Sequence, residues 1–330
     1  MQGIKITGTG SFLPEATVTN DDFAQIVDTS HEWIYSRTGI AQRRIATDEP
    51  TWYLGAKAAE KALKAAKCAP DDIDMIVVST MSADFSCPST AAMIQRYLGT
   101  RDAIVTDISV ACTGIAFSLD MARRYLYSGD VDRVLLVGAE TASQLLDFSE
   151  RSVSVLFGDG AGACVVERGD GIFGSVIHCD ATGAGYVYAR NARRAHPFGG
   201  KVDTSRYDPF PAVADHAMRM NGREVYKFAV RALPQAVESA CEKVGIAVRD
   251  LAMVIPHQAN ARILQAAAEK MGIDEEKMFV NVENYANTSG ATIAIGLDEC
   301  IRSDRIKRGD TVCLAGFGSG LLCGAVVFTY

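Results

Sequence analysis

Apolar residues along the chain gather in short, nearly unbroken runs separated by longer amphipathic stretches. Met75-Ile76-Val77-Val78-Ser79, Ala103 to Ile108, Val134-Leu135-Leu136-Val137-Gly138 and, later, Met253-Val254-Ile255 and Val312-Cys313-Leu314-Ala315-Gly316 have the pattern of strands buried on both faces. Between them, residues 51 to 67, with Thr51 as a cap, Ala91 to Leu98, closed by Gly99, and the stretch after Gly114 to about Tyr127 predict helices. Strands alternating with helices define an α/β layered sheet. Two glycine-rich stretches read as turns: Ile4 to Gly10 is a strand running into one, and Val155 to Val166 is strand, glycine turn, strand. The second is followed by a β-branched strand rather than a helix, so it does not read as a phosphate loop.

The pattern also repeats. Ala58-Ala59-Glu60 through Met75-Ile76-Val77 matches Ala236-Val237-Glu238 through Met253-Val254-Ile255 at a constant offset of 178 positions. At nearly the same offset, Cys112-Thr113-Gly114 and its helix correspond to Thr288-Ser289-Gly290 and its helix, and Val134 to Gly138 corresponds to Val312 to Gly316. The chain reads as two copies of one α/β unit, whose equivalent helix N-termini face a shared cleft if the copies pack about a pseudo-two-fold axis. Gly183 to Met218 lacks periodicity and predicts a surface insertion or flap.

Composition narrows the class. With 330 residues, 48% hydrophobic and 22% charged, the chain can bury a sizeable core. A net charge of −7 argues against nucleic acid, whose binding leans on a basic surface. No apolar run approaches the roughly 20 residues of a membrane span, and the N-terminus lacks a signal-peptide pattern. The expectation is a cytoplasmic protein without membrane insertion. Nine cysteines scattered mostly through apolar segments suit reduced thiols better than disulfides or a metal cage.

Cys112 stands where an apolar strand runs into a helix, and the positive end of the helix dipole there favours thiolate over thiol. His257, in Pro256-His257-Gln258-Ala259-Asn260, ends a buried strand of the second copy, and Asn287 precedes the helix equivalent to that of Cys112. Each alone has a structural reading: packing, a satisfied strand-end histidine, a helix cap. At corresponding strand ends of one duplicated sheet, where open α/β sheets place ligands, the three together favour chemistry. The trio permits a hydrolase with histidine as base, or a carbon–carbon bond-forming enzyme in which neutral histidine and the asparagine amide stabilise an enolate. Trp33 and Arg37, four residues apart on a helical turn, suit either a nucleotide base with its phosphates or a core tryptophan beside a surface arginine.

Val110-Ala111-Cys112-Thr113-Gly114, Pro256-His257-Gln258-Ala259-Asn260, Asn287-Thr288-Ser289 and Gly158-Asp159-Gly160-Ala161-Gly162-Ala163 together resemble the β-ketoacyl-acyl-carrier-protein synthase III family. The resemblance runs from Gly8 to the C-terminus and weakens across about 183–215. It implies a thiolase-like, five-layered α-β-α-β-α fold in two pseudo-symmetric halves, 1–175 carrying the cysteine and 176–330 carrying histidine and asparagine. The implied protein is a homodimer without cofactor or metal. It condenses an acyl-CoA primer with malonyl-acyl-carrier protein, giving 3-oxoacyl-carrier protein, carbon dioxide and CoA, and so initiates fatty-acid or related biosynthesis.

By that resemblance Cys112 is acylated and His257 and Asn287 assist decarboxylation. The N–H of Cys112 and one from the loop at Ser319 form the oxyanion hole. Trp33 and Arg151 clamp the CoA adenine, and Thr29, Arg37, Gly222, Asn260 and Arg262 surround its pantetheine and phosphates. Phe157 flanks the acyl tunnel. Cys87 stands where many members carry a bulky side chain closing the pocket across the dimer, so primers longer than acetyl are expected. Arg262 opens the helix that receives the acidic carrier protein; Lys270 is retained near its far end, but Glu269 replaces a second basic residue, which turns attention to Arg219, Arg223 and Lys227. A thiolase would need a second cysteine within Gly316 to Gly320, and a hydroxymethylglutaryl-CoA synthase a glutamate base in the first half; neither is evident. The alternative is a specialised acyltransferase or thioesterase on the same fold in secondary metabolism.

Overall fold

The computed structural model describes residues 2–191 and 217–330. β1 (Gly3–Phe12) is followed by an excursion in which β2 (Thr17–Thr19) pairs with β3 (Gln42–Arg44) around α1 (Asn20–Phe23) and α2 (His31–Thr38). Then come α3 (Thr51–Ala66), β4 (Met75–Ser79), α4 (Thr90–Leu98), β5 (Ile104–Ile108), α5 (Gly114–Ser128), β6 (Arg133–Glu140), α6 (Arg151–Ser154) and β7 (Gly160–Gly169). The first sheet has the order β1-β7-β6-β4-β5, with β4 parallel to both neighbours and β7 antiparallel to both of its own.

The second half runs β8 (Phe173–Cys179), β9 (Val187–Tyr188), β10 (Arg219–Met220), α7 (Gly222–Val244), β11 (Met253–Pro256), α8 (Ala261–Met271), α9 (Val282–Tyr285), α10 (Thr292–Arg302), β12 (Thr311–Gly318) and β13 (Leu322–Thr329). Its sheet, β11-β12-β13-β8, repeats the arrangement of β4, β6, β7 and β1.

Strand alternation explains the layering. Met75, Val77, Val134, Leu136, Cys164 and Val166 of the first sheet and Met253, Ile255, Val312, Leu314, Val326 and Phe328 of the second point inward and bury α5 and α10 between the sheets. The intervening residues point outward: Ile76, Val78, Leu135 and Val137 against α3 and α4, Val254, Cys313, Ala315 and Val327 against α7 and α8. The result is α-β-α-β-α, with strands apolar on both faces as their sequences predict. Among the described residues no helix is long and apolar enough to cross a membrane.

Several local expectations are corrected. β1 is one continuous strand, and its glycines serve helix approach rather than a turn: a Cβ at Gly8 would lie 2.3 Å from Ala66 N, and one at Gly10 2.5 Å from Ala58 O. Likewise Gly160 and Gly162 lie within β7, and a Cβ at Gly162 would meet the Ala294 side chain of α10 at 2.6 Å. Residues preceding Gly158 form α6 and a turn instead of a strand. Thr51 does not cap α3; its hydroxyl donates to Ser82 O at 2.6 Å, while the Asp84 carboxylate receives the N–H groups of Thr51 and Trp52 at 3.0 Å. The turn Ala111–Thr113 matches Ser289–Ala291, not Thr288–Gly290, and this restores the offset of the other elements. Of the insertion at about 183–215, the described residues 183–191 finish a 3-10 turn and enter β9, which pairs with β10; 192–215 lie outside the described residues.

The halves meet along a seam of glycines. A Cβ on Gly138 of β6 would lie 2.3 Å from Gly290 O, and one on Gly114 of α5 3.3 Å from the same oxygen. We expect Gly138→Ala to lose about 3 kcal/mol of stability through overpacking against backbone. Gly222→Ala, whose Cβ meets only Met220 Cε at 4.0 Å, should stay within about 0.5 kcal/mol of the parent in urea unfolding; equal effects of the two substitutions would contradict the seam.

Candidate active site

Cys112 sits in the single 3-10 turn that links β5 to α5, after Ala111, whose φ is +45°. Ser289 occupies the equivalent place before α10, with φ +47°. Non-glycine residues avoid this left-handed region, and both are held there by the packing of the turns against each other. Gly316 and Gly318 of β12 let the cysteine turn seat: a Cβ at Gly316 would lie 2.9 Å from Cys112 O, and one at Gly318 3.0 Å from Cys112 N.

Asn287 is fixed by backbone bonds to the segment after α6, with its N–H on Leu156 O at 2.9 Å and its carbonyl accepting from Gly158 N at 3.0 Å. Its side-chain Oδ1 accepts from Ser289 N at 2.8 Å, which leaves the Nδ2 end, a pure donor, for the site. His257 follows β11 and is buried, its ring edge-on to Phe317 with centroids 5.3 Å apart. The His257 Nδ1 lies 2.7 Å from Thr292 Oγ1, and that hydroxyl lies 2.9 Å from Ser289 O. That hydroxyl has one proton: given to Ser289 O, it makes Nδ1–H the donor to Thr292, and given to Nδ1, it leaves the imidazole hydrogen on Nε2.

A cavity of about 190 Å³ joins these parts. Cys112, Asn287, Phe317, Gly318 and Ser319 line it together with Leu156, Phe157, Val187, Met220, Val225 and Ile263, an apolar wall, and with Gly222, Tyr226 and Asn260. His257 lies behind Phe317 rather than in the lining. The sequence-expected residues Cys112, Asn287, Ser319, Phe157, Gly222 and Asn260 therefore line one cavity, and His257 packs against Phe317 of its wall. Thr29, Trp33, Arg37 and Arg151 form a neighbouring cluster: the guanidinium carbons of Arg37 and Arg151 stand 4.6 and 4.8 Å from the Trp33 ring centroid. Asn260 Nδ2 donates to Arg37 O at 3.0 Å and ties this cluster to the cavity. Among the described residues the buried Thr29 hydroxyl has no hydrogen-bond partner. Arg262 is exposed, with its N–H on Asn260 Oδ1 at 2.8 Å. Cys87 is exposed and does not reach the cavity of its own chain.

Electrostatics correct one expectation. Burial pushes the Cys112 thiol up to about 12 against the pull of Ser289 and its own N–H, and the Glu140 carboxyl adds to the rise. Burial outweighs the pull of the helix end, and the acid close by adds to it. The free thiol therefore keeps its proton at neutral pH. Burial lowers His257 to about 3, so its imidazole is neutral. Burial also raises Glu140 to about 7.

Glu140 is the residue sequence reading passes over. It ends β6, is fully buried, and accepts from Ser82 Oγ at 2.6 Å, Met81 N at 3.1 Å and Gly290 N at 3.3 Å. An acid closing an apolar strand at the ligand-bearing edge of the sheet was the available signal. Among the described residues no group of three or more His, Cys, Asp or Glu side chains could hold a metal ion.

A thiol and an amide donor in the wall of one cavity, with a neutral imidazole packed against its Phe317, define in this fold a cysteine-dependent acyl-transfer enzyme of the thiolase-like kind. Family models described as 3-oxoacyl-[acyl-carrier-protein] synthase III and its C-terminal part match residues 106–181 and 241–330. The chain is similar to a β-ketoacyl-[acyl-carrier-protein] synthase III from Clostridium acetobutylicum, with 41% identity over 100% of this chain and 99% of the relative. Crystal structures of 3-oxoacyl-[acyl-carrier-protein] synthase III from Aquifex aeolicus (TM-score 0.91, 40% identity, 99% of this chain and 100% of that one) and of the corresponding synthase from Thermus thermophilus (0.90, 39%, 98% of each) superpose on it. The chain belongs to the β-ketoacyl-acyl-carrier-protein synthase III family.

With His257 depressed to about 3, we expect its ring to show no titration by heteronuclear NMR between about pH 5 and 8, where an ordinary histidine near 6.5 would change charge. Thr292→Val should shift the ratio of the two tautomers read from the ring nitrogen shifts, and Thr292→Ser should keep the parental ratio.

Proposed function

We infer that this chain carries out the decarboxylative condensation of an acyl-CoA primer with malonyl-acyl-carrier protein through an acyl-Cys112 intermediate, starting fatty-acid or related synthesis. Family membership supports the reaction; the observation that supports these residues in their roles is the one cavity that Cys112 and Asn287 line together. Acyl-CoA and acyl-carrier protein are then the substrates. The primer thioester places its carbonyl at Cys112, where the cysteine N–H and the loop at Ser319 receive the oxyanion of the tetrahedral intermediate. After CoA leaves, malonyl thioester occupies the same channel. Carbon dioxide departs, and the enolate oxygen is held by Asn287 Nδ2 and His257 Nε2–H until its carbon attacks the acyl-Cys112 carbonyl.

A neutral imidazole far below ordinary basicity suits hydrogen-bond donation and not the general-base role a thioesterase needs. The Trp33, Arg37 and Arg151 cluster, with the buried Thr29 hydroxyl, supports binding of the CoA nucleotide, while Gly222, Asn260 and Arg262 line the path of its phosphates and pantetheine. For carrier-protein docking, Arg219 and Lys227 already pair with Asp147 and Glu224; Arg223 and Arg262 are exposed and remain the stronger candidates. β5 is the edge of the first sheet, and Ile104 on it and nearby Phe85 are exposed. An uncovered edge with apolar side chains supports a homodimer in which Cys87 approaches the partner's acyl pocket. Cytoplasmic location fits these soluble substrates.

Purified protein given acyl-CoAs and malonyl-carrier protein should yield 3-oxoacyl-carrier protein and a mass adduct on Cys112, and Cys112→Ser should lower condensation by about 10³-fold or more. Undiminished condensation by that variant would refute the assignment. In a primer panel, hexanoyl- to decanoyl-CoA should turn over faster than acetyl-CoA; the reverse order would remove the role given to Cys87.

A further inference from the structure

Asn287 owes its place to a segment of the other half, residues 155–158 after α6, and that segment is itself held from outside. The Asn287 N–H donates to Leu156 O at 2.9 Å, and its carbonyl accepts from Gly158 N at 3.0 Å. One residue earlier, the Val155 carbonyl accepts from Nη2 of Arg43, on β3, at 2.8 Å. Arg43 is 0% exposed, and its guanidinium reaches back through Nη1 to Asn20 Oδ1 at 3.0 Å and Val18 O at 3.3 Å, with its carbon 4.6 Å from the Phe23 ring centroid. The stem of the side chain is pressed as closely: a Cβ at Gly158 would lie 3.0 Å from Arg43 Cβ. Just before β3, Ala41 N donates at 2.9 Å to the carbonyl of Glu283, in the helix α9 that leads to Asn287.

A guanidinium taken out of water and given only neutral oxygens is a costly way to fill a core. All three acceptors of Arg43 are neutral, and burial lowers it only to about 10, so it carries its charge at neutral pH. An apolar side chain would fill the same space with less desolvation. What the arginine adds is direction, since its rigid fork fixes β2, α1 and the 155–158 segment relative to one another. We propose that Arg43 is a positioning residue for Asn287, setting through Val155 the place from which the amide donates to the enolate oxygen. The inference rests on the role given to Asn287 under the proposed function. Arg43 does not line the cavity that Leu156 and Asn287 line, so it acts only through the backbone it holds.

The two half-reactions separate this role from a general structural one. Acylation needs the Cys112 thiol and the N–H donors of the oxyanion hole, whereas condensation also needs the Asn287 amide. A displacement of about 1 Å at such a donor costs on the order of 100-fold in rate. Loss of the Arg43 fork therefore slows condensation and spares acylation. Arg44, the next residue of β3, offers the contrast: its Nη1 bonds instead to Pro14 O at 3.1 Å and Glu15 O at 3.3 Å. Because α2 of the same excursion carries Trp33 and Arg37, the comparison is made at saturating acyl-CoA.

The test times both steps on one sample by intact mass: the full chain is mixed with acyl-CoA and the gain of an acyl group on Cys112 is followed, then malonyl-carrier protein is added and the formation of 3-oxoacyl-carrier protein is followed. Arg43→Met should slow the second step about 100-fold, and Arg43→Lys, which keeps a single donor group, about 10-fold, with the first step within about 3-fold of the parent. Arg44→Gln should leave both steps at parental rates. Partial unfolding lowers the amplitudes and not the rate constants. A double-mutant cycle completes the test: if Arg43 acts through the amide, Arg43→Lys combined with Asn287→Ala should be no slower in the second step than Asn287→Ala alone. Should Arg43→Met fail to fold, Arg43→Lys carries the same comparisons. Multiplying effects in the cycle, equal slowing of both steps, an unchanged second step in the Arg43 variants, or the same loss in Arg44→Gln overturns the positioning role. Condensation at the parental rate by Asn287→Ala overturns the role given to that amide, and the inference falls with it.

Discussion

The close approach of two equivalent 3-10 turns, Ala111–Thr113 and Ser289–Ala291, is the constraint on which this site depends. It demands that backbone pass backbone with no intervening side chain, and glycine at 138 and 316 satisfies that demand. Each turn carries a residue in the left-handed region, and the two together place a thiol from one half against a hydroxyl from the other. A duplicated fold has in this way given its two copies different chemistry at one geometric address.

From this constraint the division of labour follows. The first half supplies the nucleophile and, at the end of β6, a buried acid; the second supplies the neutral imidazole after β11 and the amide before α10. The segment after α6 crosses over to clamp Asn287 through Leu156 and Gly158, so the amide belongs structurally to both. Polar groups inside a water-poor region are worth more than at a surface, provided each is matched by a partner. Thr292, Ser289 and Ser82 supply those partners to His257, Cys112 and Glu140 respectively.

Much of this was legible in the sequence because it is written in periodicities. Runs such as Val134 to Val137 announce doubly covered strands, and the repeat at 178 positions announces the second copy. Cys112 and His257 stood out because each ends such a run. What was not legible depends on distant neighbours. Gly8, Gly10, Gly160 and Gly162 read as turn residues because a glycine in a strand differs from one in a turn only by the helix lying on it. Glu140 was passed over, since its neighbours in sequence do not tell that Ser82, Met81 and Gly290 will close over it. The thiolate expectation failed for the same reason: the helix end is a local signal, whereas the burial that outweighs it comes from the opposite half.

The half-buried, protonated state of Cys112 has a bearing on durability. Peroxides and electrophiles attack thiolates, and a sulfur whose burial favours the protonated form offers them little between turnovers. Since the partner hydroxyl of Ser289 lies so late in the chain, the sulfur acquires this guarded chemistry only once nearly all of the polypeptide has been made and folded.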